Sequence, residues 1–140
     1  MTRPMRIGIF GGTFDPIHCG HLRAAEEVRS RLRLDRVLFV PSNTPPHKRR
    51  LDMAPAADRL AMVRSALRGR PGFTASDLEV ASPRTSYSIF TLAKIRKLFP
   101  DARLFFLLGA DAFLEIKTWR EWRRAYFSER KGEPTQLRAP

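Results

Sequence analysis

Within the eleven residues GGTFDPIHCGH, from Gly11 to His21, two glycines and two histidines stand where an apolar run gives way to a helical pattern. Ile7 to Phe10 reads as a buried strand. Gly11 and Gly12 then lie just past its carboxyl end, where missing Cβ atoms let a ligand approach the main chain closely. The following helix starts between His18 and Leu22, and its free N–H groups and positive dipole end favour an anion there. His18 and His21, at i and i+3, project from one side of the first turn. Both can donate hydrogen bonds to a single phosphoryl group, and Gly20 between them keeps the turn unobstructed. Two other chemistries compete for these residues. The histidines and Cys19 together offer zinc ligands, but a zinc site wants one more and does without a glycine loop. The second half of the loop, Thr13-Phe14-Asp15-Pro16, departs from the G-x-G-x-x-G dinucleotide fingerprint, which disfavours hydride transfer. No residue is assigned to a metal.

The elements that must position this corner can be read from apolar spacing. Leu22 to Leu34 reads as an amphipathic helix with Leu22, Ala25, Val28 and Leu32 on one stripe. Val37 to Val40 is a second short strand closed by Pro41, and a polar, Pro-rich loop runs from Ser42 to Pro55. Asp58 to Leu67 is helical through Leu60, Val63, Ala66 and Leu67, and is ended by Gly69 and Gly72. Arg59 and Met62 read as packing residues of that helix. Phe73 to Val80 is expected as a strand near a sheet edge, Ser86 to Phe99 as a helix stopped by Pro100, and Leu104 to Leu108 as the clearest strand. Strands and helices alternating over short links build a parallel sheet covered on both faces. The expected fold is therefore α/β, a Rossmann-like doubly wound parallel sheet. In such sheets ligands sit past the carboxyl ends of the strands, where strand order reverses.

Bulk properties narrow the class. The 140 residues, 43% of them apolar, suffice for one packed domain and not two. No window approaches the roughly 20 apolar residues that span a bilayer, and nothing resembles a secretory signal, so a cytoplasmic protein with no membrane partner is expected. The single cysteine excludes an internal disulfide. The net charge of +12 would suit a polyanion. Arg outnumbers Lys about four to one, however, and is spread along the whole chain, which reads as compositional enrichment with no specific nucleic-acid surface.

GGTFDPIHCGH closely resembles the signature of the H-x-G-H nucleotidyltransferase superfamily. Three further stretches, PSNTPPHK at Pro41 to Lys48, TSYS at Thr85 to Ser88 and GADAFLEIKTWREW at Gly109 to Trp122, are similar to those of nicotinate-nucleotide adenylyltransferases. The resemblance implies transfer of the adenylyl group of ATP to nicotinate mononucleotide, giving deamido-NAD and pyrophosphate in NAD biosynthesis, with Mg²⁺ carried by the ATP phosphates. It implies that His18 and His21 are catalytic and that Gly11, Gly12, Thr13, Phe14, Gly109 and Asp111 bind ATP. Asn43, His47, Lys48, Thr85, Tyr87 and Trp119 would bind the mononucleotide, Trp119 by stacking on the pyridine.

Beyond Trp122 the likeness stops: neither the family's fifth strand nor its second signature, I-S-S-T-x-I-R, is found. Residues 1–122 are therefore expected to form a partial nucleotidyltransferase domain, incomplete at its C-terminal side, and 123–140 a divergent, disordered tail. An open edge on the strand Leu104 to Leu108 would favour a homo-oligomer, and weaker ATP binding and impaired activity would follow. The alternatives are an adenylyltransferase with another phosphorylated acceptor and a noncatalytic remnant that binds nucleotides or nucleic acid.

Overall fold

The computed structural model describes residues 3–43, 53–81, 88–107 and 137–138, with 88–90 and 137–138 described through their main chain. The elements follow in the order β1 (Arg6–Gly12), α1 (Cys19–Leu32), β2 (Arg36–Pro41), α2 (Ala56–Ala66), β3 (Phe73–Ala75), α3 (Ser88–Leu98), β4 (Arg103–Leu107) and β5 (Leu137–Arg138). They form one sheet in the order β3-β2-β1-β4-β5, with every pairing parallel. The chain builds outward from β1 through β2 to β3, then crosses back to lay β4 on the other side of β1. Strand order therefore reverses between β1 and β4, and sheets of this kind bind ligands beyond the carboxyl ends of the strands at that point.

Alternation along the strands feeds two cores. Ile7 and Ile9 of β1 join Leu38, Val40, Leu104 and Phe106 on one face, packed against Leu92 and Ile95 of α3. Phe10 joins Val37, Phe39, Phe105 and Leu107 on the opposite face, packed against Ala25 of α1 and Val63 of α2. Helices thus cover both faces, as a doubly wound sheet requires. Burial on both sides also explains why the strands read as continuous apolar runs. The stripe expected on α1 is the one used: Ala25 is buried, with Leu22, Val28 and Leu32 packed around the same core.

Two expectations need correction. The strand starting at Phe73 ends at Ala75 and does not reach Val80. Ser76 Oγ accepts from the Leu78 main chain, Ser76 N still donates to Phe39 O, and Asp77 O accepts from Ala81 N, so the chain turns away after the last rung. Local hydrogen bonds from residues such as Ser and Asp compete with a ladder in this way. Leu78, apolar enough to suggest a strand, packs on the core from that turn. The second correction concerns the edge of β4, expected to be open: β5 pairs with it at Phe106↔Leu137 and Leu107↔Arg138. The rest of 123–140 lies outside the described residues.

Gly8, in the central strand, is closely packed on the α1/α2 face. A Cβ there would come within 2.7 Å of Leu34 Cδ1, and Leu34 is itself held in the core. Gly8→Ala is expected to cost about 1–3 kcal/mol as an overpacked core position, measured by urea unfolding. Leu34→Ala alone should cost about 2–5 kcal/mol. The double variant should be more stable than the sum of the two losses, because each change relieves the other; strict additivity would refute this account of the contact.

Candidate active site

The β1–α1 corner lies at the carboxyl ends of the central strands. Gly11 and Gly12 close β1, paired in register with Val40 and Pro41 of β2, and Gly12 O accepts from Ser42 N at 2.8 Å. A Cβ at Gly11 would stand 3.9 Å from the Phe106 ring and one at Gly12 would stand 3.5 Å from the Phe14 ring. A Cβ at either position would meet these rings at ordinary van der Waals distance, so packing does not demand a glycine there. Thr13 presents its carbonyl to Arg59. Phe14 adopts φ 51°, a left-handed conformation uncommon outside glycine. The residue is only 3% exposed, and its ring packs edge-on to Phe10 at 5.4 Å and to His21 at 5.0 Å. The Phe14 ring therefore belongs to the core, and the residue offers a ligand its main chain.

The two histidines are bound into the start of α1. His18 is the N-cap, and its Nδ1 accepts from Gly20 N at 3.1 Å. His21 Nδ1 accepts from His18 N, also at 3.1 Å. The pair forms a reciprocal capping box built from imidazoles. The rings stack with centroids 3.8 Å apart and planes 23° apart. A neutral imidazole carries one proton, and a nitrogen that accepts a hydrogen bond does not hold it. Each neutral ring therefore carries its proton on Nε2, as a donor not used by the cap. Burial, and then the neighbouring His18, hold the His21 pKa below its ordinary 6.5. Gly20 makes this possible, since a Cβ would lie 2.9 Å from His18 Cε1.

A third side chain organises the corner from below. Arg59, on α2, is 1% exposed. It donates Nε to Ala54 O (2.9 Å), Nη1 to Thr13 O and Ser42 O (2.8 Å each), and Nη2 to Asn43 O (2.9 Å). Its pKa is drawn down by burial and pulled back up by the Asp15 charge, and a guanidinium remains charged throughout. Asp15 Oδ2 accepts from Ala54 N at 3.3 Å, tying the β1–α1 loop to the same segment. Arg59 had been expected only to pack. The available signal was its place on the inner stripe of α2, four residues before buried Val63.

Of the candidate residues, Gly11, Gly12, Thr13, Phe14, His18, His21 and Asn43 come together at this end of the sheet. His47, Lys48, Thr85, Tyr87, Gly109, Asp111 and Trp119 lie outside the described residues. The strand leading to Gly109 and Asp111 is β4, whose Leu107 lies level with Phe10 of β1. A separate groove of about 830 Å³ lies at the amino ends of β2 and β3, lined in part by Arg29, Arg33, Arg68 and Arg70. Arg29 already donates to Leu34 O and Pro71 O, and Arg70 pairs with Glu26, so two of its four guanidiniums serve the fold.

A family model described as cytidylyltransferase-like matches residues 9–131, from the middle of β1 onward. The chain belongs to the cytidylyltransferase-like family. Among family relatives, a protein of Desulfatibacillum aliphaticivorans named "Probable nicotinate-nucleotide adenylyltransferase" is 55% identical over 122 residues, 87% of this chain and 56% of its own length. A protein of the same name from Thermus thermophilus is 52% identical over 120 residues, 86% of this chain and 63% of its own. The chain thus spans 56% and 63% of the length of these two curated relatives. The fold matches that of Plasmodium falciparum nicotinic acid mononucleotide adenylyltransferase complexed with NaAD, with a TM-score of 0.77 at 20% identity over 89% of this chain and 62% of that one. Among the described residues no helix is long and apolar enough to cross a membrane.

Two predictions follow from the imidazole cap. His21 has a lowered pKa, so the unfolded chain takes up its proton first. The cap's contribution to stability is complete above the ordinary histidine range and declines as pH falls below 6.5 toward the lowered folded value. NMR titration should place the His21 midpoint below 6.5, and His18→Ala should raise it; a wild-type midpoint at or above 6.5 would contradict the cap. Gly20→Ala sets a helix-propensity gain of up to about 1 kcal/mol against loss of an N-cap worth about 0.5–2 kcal/mol. Net stability should therefore move by no more than about 1 kcal/mol, while the His18 ring leaves its stack, seen as a change in its ring proton shifts.

Proposed function

We propose that this chain carries the adenylyl-transfer site of a nicotinate-nucleotide adenylyltransferase, with ATP as donor and nicotinate mononucleotide as acceptor. The observation that carries the reading is the imidazole pair. Two Nε2–H donors stand at the N-terminus of α1, beside the Gly11–Gly12 end of β1. This is an arrangement for phosphate oxygens, where helix amides and dipole add to the attraction. The names of the two curated relatives support the choice of acceptor.

The chemistry asks little covalent work of the protein. The acceptor's phosphate monoester is largely ionised near pH 7. One of its oxygens attacks the α-phosphorus of ATP, a new P–O bond forms, and the bond to the β-phosphate oxygen breaks, releasing pyrophosphate. Catalysis then consists of alignment and stabilisation of charge on the transferring group and the departing pyrophosphate. His18 and His21 donate to those oxygens from Nε2 in their neutral forms, so no protonated imidazole is required. Asn43 stands on the acceptor side, past the end of β2. The imidazole Nε2–H groups and helix amides at this corner suit phosphate oxygens and not a cation, so Mg²⁺ would come as part of the nucleotide. When bound it offsets negative charge on the phosphates.

His18→Ala is expected to lower kcat for pyrophosphate release from ATP and nicotinate mononucleotide by about 10²–10³-fold, the effect of losing one donor to developing negative charge. Competition among nicotinate mononucleotide, nicotinamide mononucleotide and phosphopantetheine reads the acceptor. No pyrophosphate release with any of them would reject transfer, and preference for another acceptor would reject this one.

A further inference from the structure

We infer that Arg59 is a positioning residue that locks the donor loop and the acceptor loop to each other, setting the distance across which the phosphate attacks. The inference rests on the proposed adenylyl transfer and adds to it a residue that neither binds nor reacts. The observation is the distribution of its partners. Its guanidinium reaches Thr13 O on the loop after β1, Ser42 O and Asn43 O on the loop after β2, and Ala54 O at the entry to α2. Three separate chain segments thus converge on one planar, buried cation.

All four partners are main-chain carbonyls, so the contact fixes backbone position and not side-chain choice. Ordinary packing of α2 does not call for this: Leu60, Val63 and Leu67 already anchor its inner face. A buried charge is costly unless it is fully hydrogen-bonded, and apolar residues of similar volume often replace one without loss of stability. What only the guanidinium supplies is a rigid fork spanning two loops. Asp15 reinforces the same junction, accepting from Ala54 N, so the donor loop is held to the α2 entry from both directions. The ladder contact Ser42 N to Gly12 O links the same two loops at the strand ends. Arg59 extends that link past the sheet, to where the reactants would meet. Lysine carries the charge but lacks the fork and cannot hold all these carbonyls at once.

Misplacement by about 1 Å can cost on the order of 10²-fold in rate, so the expected signature is a loss in kcat with the individual binding events retained. The test uses the full chain with Arg59→Lys and Arg59→Leu. Hydrogen exchange is followed at Gly12–Asp15 and Ser42–Asn43, ATP affinity is measured by calorimetry without acceptor, and kcat by pyrophosphate release. Arg59→Lys should raise exchange in both loops together, leave β1 and β4 protected and ATP affinity essentially unchanged, and lower kcat by about 10²-fold. Arg59→Leu should retain the folded sheet and lose loop protection further. Unchanged exchange and kcat in Arg59→Lys would overturn the proposal, as would unfolding of both variants or protection lost evenly across the sheet, which would make Arg59 a fold element only. If the parent chain releases no pyrophosphate, adenylyl transfer fails as a reading, and correlated exchange in the two loops still decides whether Arg59 couples them.

Discussion

Two hydrogen bonds at the start of α1, from Gly20 N to His18 Nδ1 and from His18 N to His21 Nδ1, set the chemistry available at this corner. They satisfy helix amides that would otherwise be unpaired, and they commit each neutral ring to carry its proton on the far nitrogen. The cap and the ligand site are therefore one structure. Desolvation, and then His18, lower the His21 pKa, which favours its neutral, Nε2-donating form. The rings stack at 3.8 Å, a separation at which two imidazolium ions would repel each other.

The sheet turns this local arrangement into a site. Because β4 returns to the far side of β1, the carboxyl ends of β1, β2 and β4 lie at the same end of the sheet, on either side of the point where strand order reverses. The two faces carry different loads. α3 seals one through Leu92 and Ile95, while α1 and α2 seal the other and also bring His18, His21 and Arg59 to the corner. The close fit of Gly8 against Leu34 brings that helical layer down onto the central strand. The ring of Phe14 joins the two levels, buried against Phe10 and Phe39 while its main chain shapes the loop above.

The strands were legible because parallel strands buried on both faces leave uninterrupted apolar runs: Ile7 to Phe10 and Val37 to Val40 fall inside observed strands, as does Leu104 to Leu107 of the run expected to reach Leu108, which lies outside the described residues. The overrun at β3 shows the limit of that signal. Leu78 is apolar for its packing from a turn, and nothing in hydropathy separates that from a ladder position. Spacing placed His18 and His21 on one side of a helical turn but did not reveal that they cap it, since imidazole is not among the usual N-cap side chains. Arg59 was the least legible residue, because its meaning lies in the carbonyls of Thr13, Ser42 and Asn43, brought to it by folding. Charge was the least informative property, with guanidiniums such as Arg29 and Arg96 committed to nearby carbonyls of the fold.

The most direct test of the central claim is long-range ¹H–¹⁵N correlation of the histidine rings at neutral pH, with and without ATP. The account predicts Nε2-protonated tautomers for both His18 and His21 in the free protein, and ATP-induced shifts at those Nε2 atoms with Nδ1 still accepting from the main chain. Nδ1-protonated rings, or ATP binding that leaves both Nε2 resonances in place, would contradict it.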